Sequence, residues 1–179
     1  MIFGDKKELA VEAFHERLGD NDIQVFGRMC LWFGGEMLGD LNEPACMLDV
    51  TNGILESILG RISELSSKEL SSLSDLEAYN YLDDKIYGDH ERTVEQVSKD
   101  SEKFFRYDFL TNGGESFDNS KSFIVADGFF LRVLFLNYDT NKFTGHKISK
   151  LEFISVINKF MAWYSDRKSE LTKQSSGLQ

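Results

Sequence analysis

The chain has 179 residues, 41% of them hydrophobic and 28% charged, with a single proline: the length of one ordinary domain and the composition of a compact globule rather than a disordered segment. A domain of this size buries on the order of 70% of the surface its unfolded chain exposes, so it needs neither disulfides nor a structural metal to fold. Thirty acidic against twenty basic residues leave a net charge of −10, a field that repels phosphate backbones and anionic lipids and so excludes nucleic acid and membrane as expected partners.

The first block alternates with the period of a sheet. Leu9, Val11 and Ala13 suggest one strand, and Ile23, Val25, Met29, Leu31 and Phe33, with Gln24 and Arg28 between them, suggest a second. Gly34–Gly35 can supply the positive φ angles of a two-residue hairpin, so Glu36–Leu38 should fold back as the third strand of an antiparallel meander. The period then changes. Asn42 or Glu43 followed by Pro44 reads as a helix start, with Leu48, Leu55, Ile58, Leu59 and Ile62 on one face. After a serine-rich break around Ser66–Ser72, Ser74…Glu77 and Thr93…Gln96 have the capping-box pattern, predicting helices near 75–86 and 93–103.

Period two returns at Phe105, Tyr107 and Phe109, and Asn112-Gly113-Gly114 interrupts it as a turn would. Ser122–Ala126 and Phe129–Leu136 flank Asp127–Gly128, a strong hairpin signal. The second of these strands is apolar on both faces apart from Arg132, so it should be central and covered on both sides. Asp139–Gly145 lacks the glycine and glutamate of a calcium loop and reads as a polar connection. A third capping box, Ser149…Glu152, opens a long helix whose docking face is expected to carry Leu151, Ile154, Ile157, Met161 and Tyr164. The fold class is therefore α+β. Antiparallel strands come from an N-terminal meander and a hairpin set in the C-terminal half, with the middle helices and a long C-terminal helix packed on them. One domain over 1–173 and a flexible tail over 174–179 are expected, and whether the strands join one sheet or two stays open.

Catalytic chemistry leaves few marks. His15, His90 and His146 stand alone in polar or turn-like stretches, and the glycines lack the strand-to-helix placement and Lys-Ser/Thr ending of a phosphate-binding loop. Cys30 and Cys46 have no metal-ligand spacing and read as reduced thiols of a cytosolic protein, in keeping with an N-terminus that lacks an apolar signal region. No catalytic residue, metal or cofactor is expected, and the chain is not read as an enzyme.

The charge is uneven along the chain: residues 1–100 carry −12 and residues 101–179 carry +2. Asp75, Glu77, Asp83, Asp84, Asp89 and Glu91 crowd one stretch, with Tyr79, Tyr81 and Tyr87 interleaved. Like charges on one face repel each other but speed association with an opposite field, and tyrosine is a favoured interface anchor. Asp75, Glu77, Tyr79, Asp83, Asp84, Tyr87, Asp89 and Glu91 are therefore the expected contact surface for a cationic protein partner. Asp20, Asp22, Asp40 and Glu43, near the hairpin ends, come second.

Met1-Ile2-Phe3-Gly4-Asp5, the strand around Leu9 to Phe14, and Phe26-Gly27-Arg28-Met29-Cys30-Leu31-Trp32-Phe33-Gly34-Gly35-Glu36-Met37-Leu38-Gly39-Asp40 together resemble the opening of the Immunity 42 family of bacterial polymorphic-toxin immunity proteins. Gly114-Glu115-Ser116-Phe117-Asp118, Glu152-Phe153, Phe160 and Trp163-Tyr164 are similar in order and spacing. The resemblance implies a cytoplasmic antidote that binds and blocks a cognate toxin domain delivered between neighbouring bacteria, for instance by contact-dependent growth inhibition. Many such toxins are nucleases. A basic nuclease held in a 1:1 heterodimer is thus the expected partner, since a surface built to grip nucleic acid is one an acidic blocker can cover. Two other classes fit the same composition: an acidic chaperone or adaptor for a secreted effector, and a small-ligand enzyme.

Overall fold

The computed structural model describes residues 1–19 and 24–176, with side chains described to 173. Two antiparallel sheets share one hydrophobic core. The first is built from β1 (Ile2–Asp5), β2 (Leu9–Glu16), β3 (Phe26–Phe33) and β4 (Glu36–Leu38) in that order, with β5 (Cys46–Met47) also paired to β3. The expected meander is β2–β3–β4. Its register sets Leu9 opposite Phe33, Val11 opposite Leu31 and Ala13 opposite Met29, so the apolar residues of both strands fall on one face. Gly34 and Gly35, at φ 62° and 85°, close the β3–β4 hairpin with Phe33 opposite Glu36. Ile23 lies outside the described residues.

Pro44 does not start a helix. The Asp40 and Glu43 carboxylates accept the amides of Asn42 and Ala45 at 2.7 and 2.9 Å, which holds this segment in turns. Cys46–Met47 then pairs with β3 before α1 (Leu48–Gly60) begins. Leu48, Leu55 and Ile58 are buried on it as the spacing requires. Short α2 (Lys68–Ser71) leads to α3 (Asp75–Tyr87) and α4 (Val94–Phe104), and the capping boxes expected at Ser74 and Thr93 close, two of the three expected.

The strand expected around Phe105, Tyr107 and Phe109 is a 3₁₀ turn over Phe105–Tyr107 that continues directly from α4. Alternation over three residues is too short to separate strand from helix end, and here Phe104 and Tyr107 turn inward while Phe105 is 50% exposed. The second sheet has the order β6 (Ser120–Asp127), β7 (Phe130–Asn137) and β8 (Lys142–Ser149), with β7 central as expected. The presence of β8 corrects the reading of a polar connection. Along it Ile148 is buried and Phe143 half-buried while Lys142, Gly145 and Lys147 are exposed, so an edge strand mixes polar and apolar residues without clean alternation.

The last helix, α5 (Lys150–Ser176), docks through Phe153, Val156, Ile157, Phe160 and Leu171, whereas Leu151 is 79% exposed. The helix is turned from the expected face because the two phenylalanines take the core positions. α5 runs three residues into the segment expected as a tail, and 177–179 lie outside the described residues. Its rings meet the first sheet, with Phe3 6.3 Å from Phe160 and 5.9 Å from Trp163. Phe33 joins the two sheets, lying 6.1 Å from Phe135 and 6.2 Å from Phe109, which in turn lies 6.2 Å from Phe153. α3 covers the other face of the second sheet, with Tyr79 set 5.3 Å from Phe123 and 5.4 Å from Phe143.

Candidate partner-binding surface

The acidic stretch maps onto α3 and the segment leading into α4, and folding divides its residues into two groups. The first is occupied with holding the fold. Glu77 accepts the Ser74 amide and hydroxyl at 2.9 and 2.6 Å, and these bonds keep its carboxyl below the usual range. Asp75 receives the Arg132 guanidinium at 2.8 Å through two nitrogens, while the same guanidinium donates to the Leu70 and Leu73 carbonyls at 3.0 Å. Asp83 pairs with Lys121 at 2.5 Å. Tyr87 donates its hydroxyl to Asp108 at 2.8 Å, and burial pushes both that phenol and the Asp108 carboxyl upward. Tyr79 corrects the expected surface: at 4% exposure it is a core ring between α3 and the second sheet, out of reach of any partner.

The second group faces solvent. Asp84 is exposed beside His90 at 3.3 Å and Lys85 at 3.9 Å. Asp89 and Glu91 are exposed with no ion pair among the described residues. The secondary set divides as well: Asp40 and Glu43 cap their own turns, and Asp20 and Asp22 lie outside the described residues.

α4 carries the same surface further. From Val94 to Lys103 every residue is exposed except the half-buried Asp100. Val94 is 87% exposed and Val97 46%. Three of the cations near this helix are already matched: Arg92 to Asp100 at 3.5 Å, Lys99 to Glu95 at 2.8 Å, and Lys103 to Glu69 at 3.4 Å. The sequence reading missed Val94, Val97 and Phe105 as surface residues. Their helical spacing was available, but an apolar stripe on a helix ordinarily points to the core.

Among the described residues no group of three His, Cys, Asp or Glu side chains could hold a metal ion. His15 and His146 belong to strands rather than loops, and the His146 ring lies 6.5 Å from Phe33. Cys30 and Cys46 are buried free thiols, and burial pushes the Cys30 thiol up to about 12. No helix among the described residues is long and apolar enough to cross a membrane.

The Immunity protein 42 family matches residues 1–163, which span both sheets, the middle helices and the first half of α5. The chain belongs to this family. It is thus an immunity protein, a class whose members neutralise a cognate toxin, and the expected kinship read from the glycine and aromatic pattern holds over most of its length. Its fold is similar to the crystal structure of CdiI from Burkholderia dolosa AUO158. That likeness has a TM-score of 0.66 at 15% identity and covers 90% of this chain and 99% of the other, so it concerns the fold. No curated protein matches the chain.

Proposed function

We propose that this immunity protein acts in the bacterial cytoplasm as a stoichiometric, non-catalytic inhibitor. It binds one copy of a toxin domain delivered by contact-dependent growth inhibition and covers that toxin's active or substrate-binding surface. The observation that carries the reading is family membership over residues 1–163. The charge distribution supports the finer part. An excess of −12 over the first hundred residues suits a cationic partner, and a nuclease, which must attract phosphates, is such a partner. Within the acidic stretch, the exposed Asp84, Asp89 and Glu91 are offered for contact, while Asp75, Glu77, Asp83 and Tyr87 spend their polar groups on bonds within the fold.

Co-expression with the toxin domain encoded beside this chain tests the reading. The expected result is rescue of growth and a one-to-one complex in size-exclusion chromatography with light scattering. Unprotected cells would sink the proposal, and capture of an unfolded effector segment would favour the chaperone.

A further inference from the structure

α4 is a helix that the fold hardly uses. It forms because Thr93 and Gln96 cap it reciprocally, at 3.2 and 2.8 Å, yet of its eleven residues only Phe104 is buried. Valine is a poor helix former, since its branched Cβ loses rotamer freedom against the preceding turn, and at 87% and 46% exposure Val94 and Val97 recover little of that cost by burial. With Ser101 and Phe105 they recur at i, i+3, i+7 and i+11, and Phe105 keeps helical backbone angles at φ −59°, ψ −22°, so the four form one solvent-facing stripe. Phe105 extends the stripe sideways. It also lines a groove of about 350 Å³ shared with Val50, Gly53 and Ile54 of α1.

Carboxylates lie close to the stripe. Asp89 and Glu91 sit in the segment entering α4, and Glu102 lies one residue beyond the stripe; none has an ion pair among the described residues. The neighbouring cations Arg92, Lys99 and Lys103 are matched by Asp100, Glu95 and Glu69, whereas Arg106, next to Phe105, and Arg61, in the groove, have no ion pair among the described residues and donate to the Lys103 carbonyl and the Ser57 hydroxyl. An exposed apolar centre whose unpaired neighbours are the carboxylates of Asp89, Glu91 and Glu102 and the guanidinium groups of Arg61 and Arg106, on a chain of net charge −10, disfavours nucleic acid and a second, equally acidic copy of this chain. It suits a protein surface with apolar side chains ringed by lysine and arginine.

Resting on the reading that the chain neutralises a toxin, we infer that the α4 stripe of Val94, Val97 and Phe105 is where the toxin domain docks, with the unpaired carboxylates Asp89, Glu91 and Glu102 on the same helix and its entry segment. The apolar residues supply holding contacts, and the carboxylates steer approach. The test uses the full chain and the toxin domain encoded beside it, made catalytically inactive. Val94→Ala/Val97→Ala improves helix propensity while removing apolar area, so the melting temperature should hold or rise while the Kd rises about tenfold. Glu91→Lys/Glu102→Lys should slow association about tenfold at low salt and flatten its salt dependence. If both variants bind within about twofold of the wild type, the docking site lies elsewhere although the immunity reading stands. If the wild type itself fails to bind, the immunity reading falls and this inference with it.

Discussion

Arg132 sits on the central strand of the second sheet at 7% exposure, where an unpaired guanidinium would be costly. It is tolerated because Asp75 and the carbonyls of Leu70 and Leu73 satisfy it from the far side of the α2–α3 connection. Arg132→Ala should therefore lower unfolding stability by about 3 kcal/mol in urea titrations, because three acceptors lose one donor group. Asp108 behaves in the opposite sense. Burial outweighs the hydroxyl bonds from Thr111 and Tyr87 and raises its carboxyl, so its charged form weakens the fold as pH rises from the unfolded value through the raised folded one. Asp108→Asn keeps an acceptor for Tyr87 and should raise the urea midpoint at pH 7, with the gain disappearing near about pH 3, where both states hold the proton. The Ser74 and Thr93 caps were legible in sequence because a capping box is a contact between residues three apart. The burial of Tyr79 was not, since its partners Phe123 and Phe143 stand far along the chain.

At the scale of elements, legibility followed how strictly one face is buried. β2, β3 and β7 each bury most of their residues and were readable from period and turn glycines, whereas β8 is an edge strand whose mixed pattern hides it. α5 was readable as a helix but not in its rotation, which the packing of Phe153 and Phe160 decides. α1 contains Gly53 in its interior, where a Cβ would meet nothing within 4 Å. Gly53→Ala should stabilise the protein by about 1 kcal/mol in thermal unfolding, since alanine removes backbone freedom from the unfolded chain and clashes with nothing. Because Gly53 also lines the groove beside Phe105, a larger substituent there, such as tryptophan, should fold normally and weaken toxin binding in titration calorimetry.

For the whole molecule, the −10 net charge matters through the part that folding leaves uncompensated. Surface pairs such as Lys99–Glu95 and Lys142–Glu36 are exposed and contribute little to stability, but they cancel the local field and so decide where a cation is drawn. Association with a basic toxin should slow as ionic strength rises, and Asp84→Lys/Asp89→Lys/Glu91→Lys should remove most of that dependence in stopped-flow measurements. The same three reversals at Asp75, Glu77 and Asp83 should instead lower the melting temperature, because those carboxylates hold Arg132, the Ser74 cap and Lys121.

What the sequence by itself determined are the features set by near neighbours or by composition: the α+β class, the meander, the capped helices, the acidic excess and the glycine and aromatic pattern of the Immunity protein 42 family. Only the tertiary structure decided that the strands form two sheets, that five of the eight expected contact residues serve the fold, and that α4 leaves an apolar stripe in solvent. The physical reason is common to all three. Whether a side chain is spent inside the molecule or left for a partner depends on what packs against it, and those neighbours come from distant parts of the chain.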